Sequence, residues 1–277
     1  MNMPLKIRDI DETQAPLLDH LIELRTRLLR CIVVLALSFG VCLYFAEDIF
    51  ALLVRPLADA FPEGEGTLIY TKLYEAFFVE IKVALFAAFM VSFPLIANQL
   101  WAFVAPGLYA REKKAFLPFL LATPVLFAMG ASLAYFVVMP TAFVWFLGFA
   151  GETAGIEQVA LPAMGDYLDL VMHFILAFGA SFLLPVLLLL LNRAGIITRE
   201  QFSRSRRYVI VGIFVLAAVI TPPDVVSQLI LAIPLIILFE LSLLLMRPAG
   251  KDGDGEGEGE MEDASAEPPS ETTGTSP

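Results

Sequence analysis

Polar and apolar positions alternate along this chain in long blocks, not with the short periods of a soluble fold. Six apolar blocks stand out, at about residues 29–45, 76–103, 115–139, 168–191, 208–221 and 225–246. Most are near the roughly 20 residues that a helix needs to cross a hydrocarbon core about 30 Å thick. A β-barrel would show alternating segments of about 10 residues, and these runs are longer and continuous. The fifth block gives only about 21 Å of helix at ~1.5 Å per residue. The sixth carries Gln228, Pro234 and Glu240, and only Pro222, Pro223 and Asp224 separate the two. Prolines there end one helix and open the next. The pattern predicts an all-α polytopic membrane protein of six transmembrane helices, with short fifth and sixth spans. Residues 141–150 are apolar but too few for a seventh span. Pro140 is expected to break them from the third helix, leaving a cap at the outer interface with Trp145 in the aromatic belt.

Composition agrees: 58% of residues are hydrophobic and 17% charged, against roughly 45–50% and 25% in soluble domains. The net charge of −11 is concentrated in the tail. Residues 251–277 hold Lys251 and nine acids, so they carry −8 of it. That tail is rich in Gly, Ser, Thr and Pro and reads as disordered and solubilising. The organisation expected is a polar segment (1–15), a six-helix transmembrane domain (16–247) and an acidic disordered tail (248–277).

Basic residues set the orientation. With the amino terminus inside, fifteen of the 18 Lys and Arg fall in inner segments, among them Arg25, Arg27, Lys113, Lys114 and Arg204. By the positive-inside rule both termini are cytoplasmic. The start is polar and acidic through Glu12, so no cleavable signal peptide is expected. Cys31 and Cys42 are 11 residues apart on one helix, about 16 Å, too far to bond to each other.

The catalytic patterns sought are missing. Neither His20 nor His173 has a second His at i+4, and no GxSxG or GxxxxGK[ST] motif occurs. No cofactor, metal or nucleic acid is implied. His173, in the fourth span, reads first as a helix-packing hydrogen bond and second as a proton relay. A secondary transporter with a midplane site at Glu80, Lys82 and His173 is the alternative reading, weakened by the absence of symmetric broken helices.

Three segments carry chemistry. In "HLIELRTRL" (20–28), Glu23 stands four residues before Arg27, the favourable order for a helix-surface ion pair. It either serves that pair or waits for a cation from another molecule. In "WAFVAPGLYAREKK" (101–114), Pro106 and Gly107 are expected to break the second helix and expose Trp101, Phe103, Leu108 and Tyr109 at the inner interface, with Glu112 among bases. This is either an aromatic-anchored connector or a binding element. In "TPPDVVSQ" (221–228), Thr221, Asp224 and Gln228 place polar groups at the outer end of the last hairpin, where they favour contact between helices.

These segments, with "AYFVVMP", "AFGASF" and "LILAIP" in the same order, resemble the TatC family, the multispanning receptor subunits of the twin-arginine protein translocase. The resemblance covers about residues 16–247. It implies binding of twin-arginine signal peptides of folded precursors at the cytoplasmic face of the bacterial inner membrane. It implies transport driven by the proton-motive force with TatA- and TatB-type single-span subunits and other copies of the chain, in the lipid bilayer. The family's signal-peptide residues fall on Glu23, Glu112 and Phe103, and its partner contacts on Thr221 and Gln228. Arg25, Pro56, Pro106 and Asp224 match further motif positions, where Asp224 is expected to cap a helix end and Pro56 to shape an outer loop. Two carboxylates suit two guanidinium groups. The chain departs from the family at Leu183, where many members carry an intramembrane glutamate. Glu80 and Glu240 are simpler to explain as interfacial, and Lys82 as a partner for Glu80 or an acidic outer loop.

Overall fold

The computed structural model describes residues 10–61, 66–108, 113–153, 155–193, 196–221 and 225–246. Among these, the regular elements are helices, one hairpin and an isolated bridge between Ile69 and Ala163. The helices are α1 (Ile10–Tyr44), α2 (Ala46–Ala58), α3 (Glu75–Leu108), α4 (Lys113–Leu133), α5 (Met139–Leu147), α6 (Met164–Ser181), α7 (Leu184–Arg193), α8 (Arg199–Arg204), α9 (Arg206–Ile220) and α10 (Val225–Leu245). Five stretches are long and apolar enough to cross a membrane: His20–Tyr44, Glu75–Phe103, Phe119–Leu147, Met164–Arg193 and Val225–Leu245. α9, at 15 residues, is shorter than these. The expected tail, Glu112, Tyr109 and Asp224 lie outside the described residues.

Several expectations are corrected. α1 begins well before Leu29, so the basic "HLIELRTRL" segment and the first span are one helix. α3 does not break at Pro106 but runs on to Leu108, because a proline in the last turn removes only one hydrogen bond. Pro140 does not detach a cap. A π turn at Ala134–Val138 joins α4 to α5, and Pro140 opens α5. The change of register falls where the proline has no N–H to donate. The fourth span, by contrast, is interrupted. A turn at Phe182–Leu183 separates α6 from α7, and Pro185, in the first turn of α7, is tolerated there.

Two elements at the opposite end from Glu23 have no counterpart in the apolar pattern. β1 (Gly151–Thr153) pairs antiparallel with β2 (Ile156–Gln158), turning through Gly155 at φ +79°, a value glycine adopts freely. α2 is an amphipathic helix that buries Leu53, Pro56 and Leu57. Pro56 therefore lies inside a helix, not in a loop, and its missing N–H leaves the Leu52 carbonyl without its i+4 donor. The Tyr135 hydroxyl supplies one, donating to Leu52 O at 2.7 Å. Tyr167 donates to Leu53 O at 2.8 Å. Two tyrosines, from the π turn and from α6, thus hold α2 against the bundle.

The same end is tied by Glu75. Its carboxylate accepts from Thr71 N at 2.9 Å and from Gly165 N at 2.9 Å. Beside it, Ile69 N donates to Pro162 O and Met164 N to Ile69 O. At the core, α4 meets α6 through glycines. A Cβ on Gly130 would lie 2.5 Å from Phe178 O, and one on Gly179 would lie 2.7 Å from the Phe127 ring. Small residues let membrane helices approach closely. Phe174 and Phe178 are fully buried there.

Two stability predictions follow from these contacts. Gly130→Ala should destabilise the purified protein by about 1–3 kcal/mol, seen as a lower thermal midpoint in detergent. Gly212→Ala, which meets nothing within 4 Å, should not. Tyr135→Phe should cost about 0.5–1.5 kcal/mol by removing the donor to the Leu52 carbonyl. Pro56→Ala, which restores the helical donor, should recover much of that loss in the double variant.

Candidate functional site

The part of α1 from His20 to Arg27 meets α3 near Gln99 and Phe103 through two short rows of polar and aromatic side chains. His20, Glu23 and Arg27 recur at i, i+3 and i+7, so they share one face of α1. Gln99 and Phe103, four residues apart, share one face of α3. Arg27 donates to Glu23 Oε1 from Nε at 2.9 Å and from Nη2 at 2.6 Å. Its Nη1 donates to Gln99 Oε1 at 3.4 Å. The His20 ring stacks on Phe103 with centroids 4.2 Å apart and planes 16° from parallel.

The ion pair uses the carboxylate unequally. Both Arg27 hydrogen bonds end on Oε1. Oε2 has only His20 Nδ1 near it, at 3.9 Å, too long for a hydrogen bond. Among the described residues, then, Glu23 keeps one carboxylate oxygen for a further donor. Glu23 is about one-third exposed and Arg27 about one-fifth, so a cation arriving from water has a path. A guanidinium fits this oxygen by charge-assisted hydrogen bonding.

Phe103 and Trp101 are half-buried, not laid out at the surface as expected. The Trp101 indole donates to Thr123 Oγ1 at 2.7 Å, and that hydroxyl donates to Phe119 O, clamping α3 to α4. Arg193 lies over the Phe119 ring at 5.6 Å. At the far junction of α9 and α10, Thr221 is buried and donates to Ala217 O at 2.9 Å. Gln228 donates from Nε2 to Phe214 O at 3.1 Å. Thr221 and Gln228 thus bond within the hairpin. Arg25 is exposed on α1, with no ion pair among the described residues.

The remaining ionisable groups in the spans find specific places. Lys82 pairs with neither Glu80 nor an outer loop but with Asp169 of α6, through Nζ at 2.9 and 3.0 Å. Glu240 is held by Arg206 at 2.7 Å, in keeping with an interfacial role. His173 is exposed on α6 and makes no hydrogen bond among the described residues, contrary to the packing role expected of it. The described residues hold no cluster of His, Cys, Asp and Glu able to bind a metal.

These features define an integral-membrane helical protein with a polar, cation-accepting site where two of its long helices meet. The family model for the Sec-independent protein translocase protein TatC matches residues 19–234. The chain belongs to the TatC family, a family of protein-translocase membrane subunits. It is 47% identical to the TatC of Magnetococcus marinus over 232 residues, 84% of each chain. It is 42% identical to that of Escherichia coli K12 over 238 residues, 86% of this chain and 90% of the other. A crystal structure titled as the twin-arginine translocase receptor TatC in DDM aligns with TM-score 0.69 and 40% identity, covering 82% of this chain and 99% of the other.

His20 and Gln99 were not singled out in the sequence, although helical spacing from Glu23 and Phe103 points to both. The Glu23–Arg27 pair is partly exposed and spaced i, i+4, so it should add only about 0.3–0.5 kcal/mol to stability. Glu23→Gln should therefore shift the thermal midpoint by at most a degree or two. A large loss of stability would make Glu23 a structural residue instead.

Proposed function

We propose that this protein is the receptor subunit of a twin-arginine translocase. It binds the signal peptides of folded precursors at the cytoplasmic face of the bacterial inner membrane. The observation that carries the reading is the half-used carboxylate of Glu23. Arg27 is its resting partner on Oε1, and a signal-peptide arginine takes Oε2 or displaces Arg27. Phe103, close to the pair and stacked on His20, offers an apolar surface to the peptide that follows the arginines. Glu112 is the second carboxylate of the site, for the second arginine. Pro106, in the last turns of α3, precedes the segment that carries Glu112, and Arg25 adds exposed positive charge to the same face of the protein.

In this reading six helices span the membrane, α9 being the short fifth, with both termini in the cytoplasm. TatA- and TatB-type single-span helices dock near Thr221 and Gln228, Asp224 caps the turn there, and further copies of the chain complete the assembly. The proton-motive force drives transport. The match to receptor-titled structures over most of the chain supports this reading, as does the basic-residue asymmetry.

Photocrosslinking probes placed in native membranes at positions 23 and 112 should capture a twin-arginine signal peptide. Probes at 221 and 228 should capture a single-span partner. Glu23→Gln or Glu112→Gln should each weaken peptide capture about tenfold, roughly 1.4 kcal/mol, while the protein still inserts. Undiminished capture by the double substitution would rule out the site.

A further inference from the structure

A cleft of about 210 Å³ opens between α1 and α3 just beyond the Glu23 site, lined by Arg30, Cys31, Val34, Leu95, Ile96 and Gln99. The surface it exposes is apolar, with Val34, Leu95 and Ile96 as walls, and Arg30 and Gln99 line it without presenting polar atoms to it. Arg30 is exposed and has no ion-pair partner among the described residues, whereas Arg27, one turn earlier, is already engaged by Glu23 and Gln99. Arg30 is also the last charged residue before α1 becomes wholly uncharged through Tyr44. By sequence position it marks the end of the charged part of α1, and the apolar slot lies next to it.

We propose that this cleft binds an anionic phospholipid. The phosphate pairs with the Arg30 guanidinium, and the first part of an acyl chain lies against Val34, Leu95 and Ile96. Three features select this occupant. Arginine recognises phosphate oxygens with paired, charge-assisted hydrogen bonds. An exposed basic residue near the membrane surface attracts acidic headgroups, and Arg30 is exposed next to the apolar slot. The volume falls below the roughly 300 Å³ at which pockets for compact small molecules begin, but it accommodates one end of a chain-like ligand that continues into the bilayer. Gln99 belongs to both places, since it lines the cleft and accepts from Arg27. Lipid in the cleft thus touches the side chain that steadies the Glu23–Arg27 pair. The proposal does not depend on what Glu23 binds.

Cys31 is a built-in reporter, because it is a free, half-buried thiol in the cleft wall. The full chain, with Cys42→Ala so that one thiol remains, is placed in nanodiscs of phosphatidylcholine alone or with phosphatidylglycerol of the same acyl chains. Alkylation by neutral N-ethylmaleimide is then timed. Phosphatidylglycerol should slow alkylation at least threefold. Native mass spectrometry should show one more retained phosphatidylglycerol than phosphatidylcholine per protein. Arg30→Gln should erase both differences without changing the thermal midpoint. Val34→Trp, which fills the slot, should erase lipid retention while leaving Arg30 in place. Arg204→Gln, an exposed arginine outside the cleft, should leave both differences intact. Equal alkylation in the two lipids, or a preference that survives Arg30→Gln, overturns the proposal. So does a preference lost equally in Arg204→Gln, because that would be general surface charge.

Discussion

A hydrogen-bonding group at membrane depth has no water to turn to, and the arrangement of this bundle follows from that constraint. The same matching of donor to acceptor appears at α2, outside the membrane-capable stretches. Pro56 costs the helix one N–H, the Leu52 carbonyl would be stranded, and Tyr135 answers it from the π turn that joins α4 to α5. Similar bonds recur at several helix contacts. Ser92 donates to Ser38 between α3 and α1, Trp101 to Thr123 between α3 and α4, and Gln228 to the α9 backbone. Lys82 and Asp169 neutralise each other between α3 and α6. Hydrophobicity places these helices in lipid but does not choose their neighbours, since lipid tails are as apolar as leucine. Neighbours are chosen by these polar bonds and by close contacts such as that of Gly130 with Phe178.

The same rule shapes the Glu23 site, with one difference. Near the interface, water can complete what the protein leaves open, so incomplete pairing costs little. Glu23 uses one oxygen on Arg27 and keeps the other. Arg27 spreads its donors over Glu23 and Gln99, and His20 stacks on Phe103. α1 is thereby fastened to α3 at its basic end by partly exposed contacts, each worth little to stability. A buried, fully satisfied pair at this place would be firmer but would have nothing to offer an incoming guanidinium.

The sequence was most informative where one residue type has one physical meaning. Apolar length revealed the long spans, and the i, i+4 spacing of Glu23 and Arg27 foretold their pairing. It was least informative at prolines. Pro106 and Pro140 read as breaks, yet a last-turn position in one case and a π register in the other let the helix continue. Pro56 read as a loop residue because α2 is amphipathic and shorter than a span, and only the Tyr135 hydroxyl explains how the helix tolerates it. Long-range partners were also hidden. Asp169 is 87 residues from Lys82, and no local pattern joins them. At the candidate site, Glu23 and Phe103 were legible from motif, whereas His20 and Gln99 emerged only when α1 and α3 were seen side by side.

Recognition of a guanidinium by Glu23, as proposed, differs from attraction to positive charge alone. The two separate in a binding cycle on the purified full-length protein, comparing a twin-arginine signal peptide with its twin-lysine counterpart on the native chain and on Glu23→Gln. The native protein should favour arginine by about tenfold, about 1.4 kcal/mol, and Glu23→Gln should reduce the ratio to near one, a coupling between the two changes. An arginine preference of the same size in Glu23→Gln would contradict recognition by Glu23.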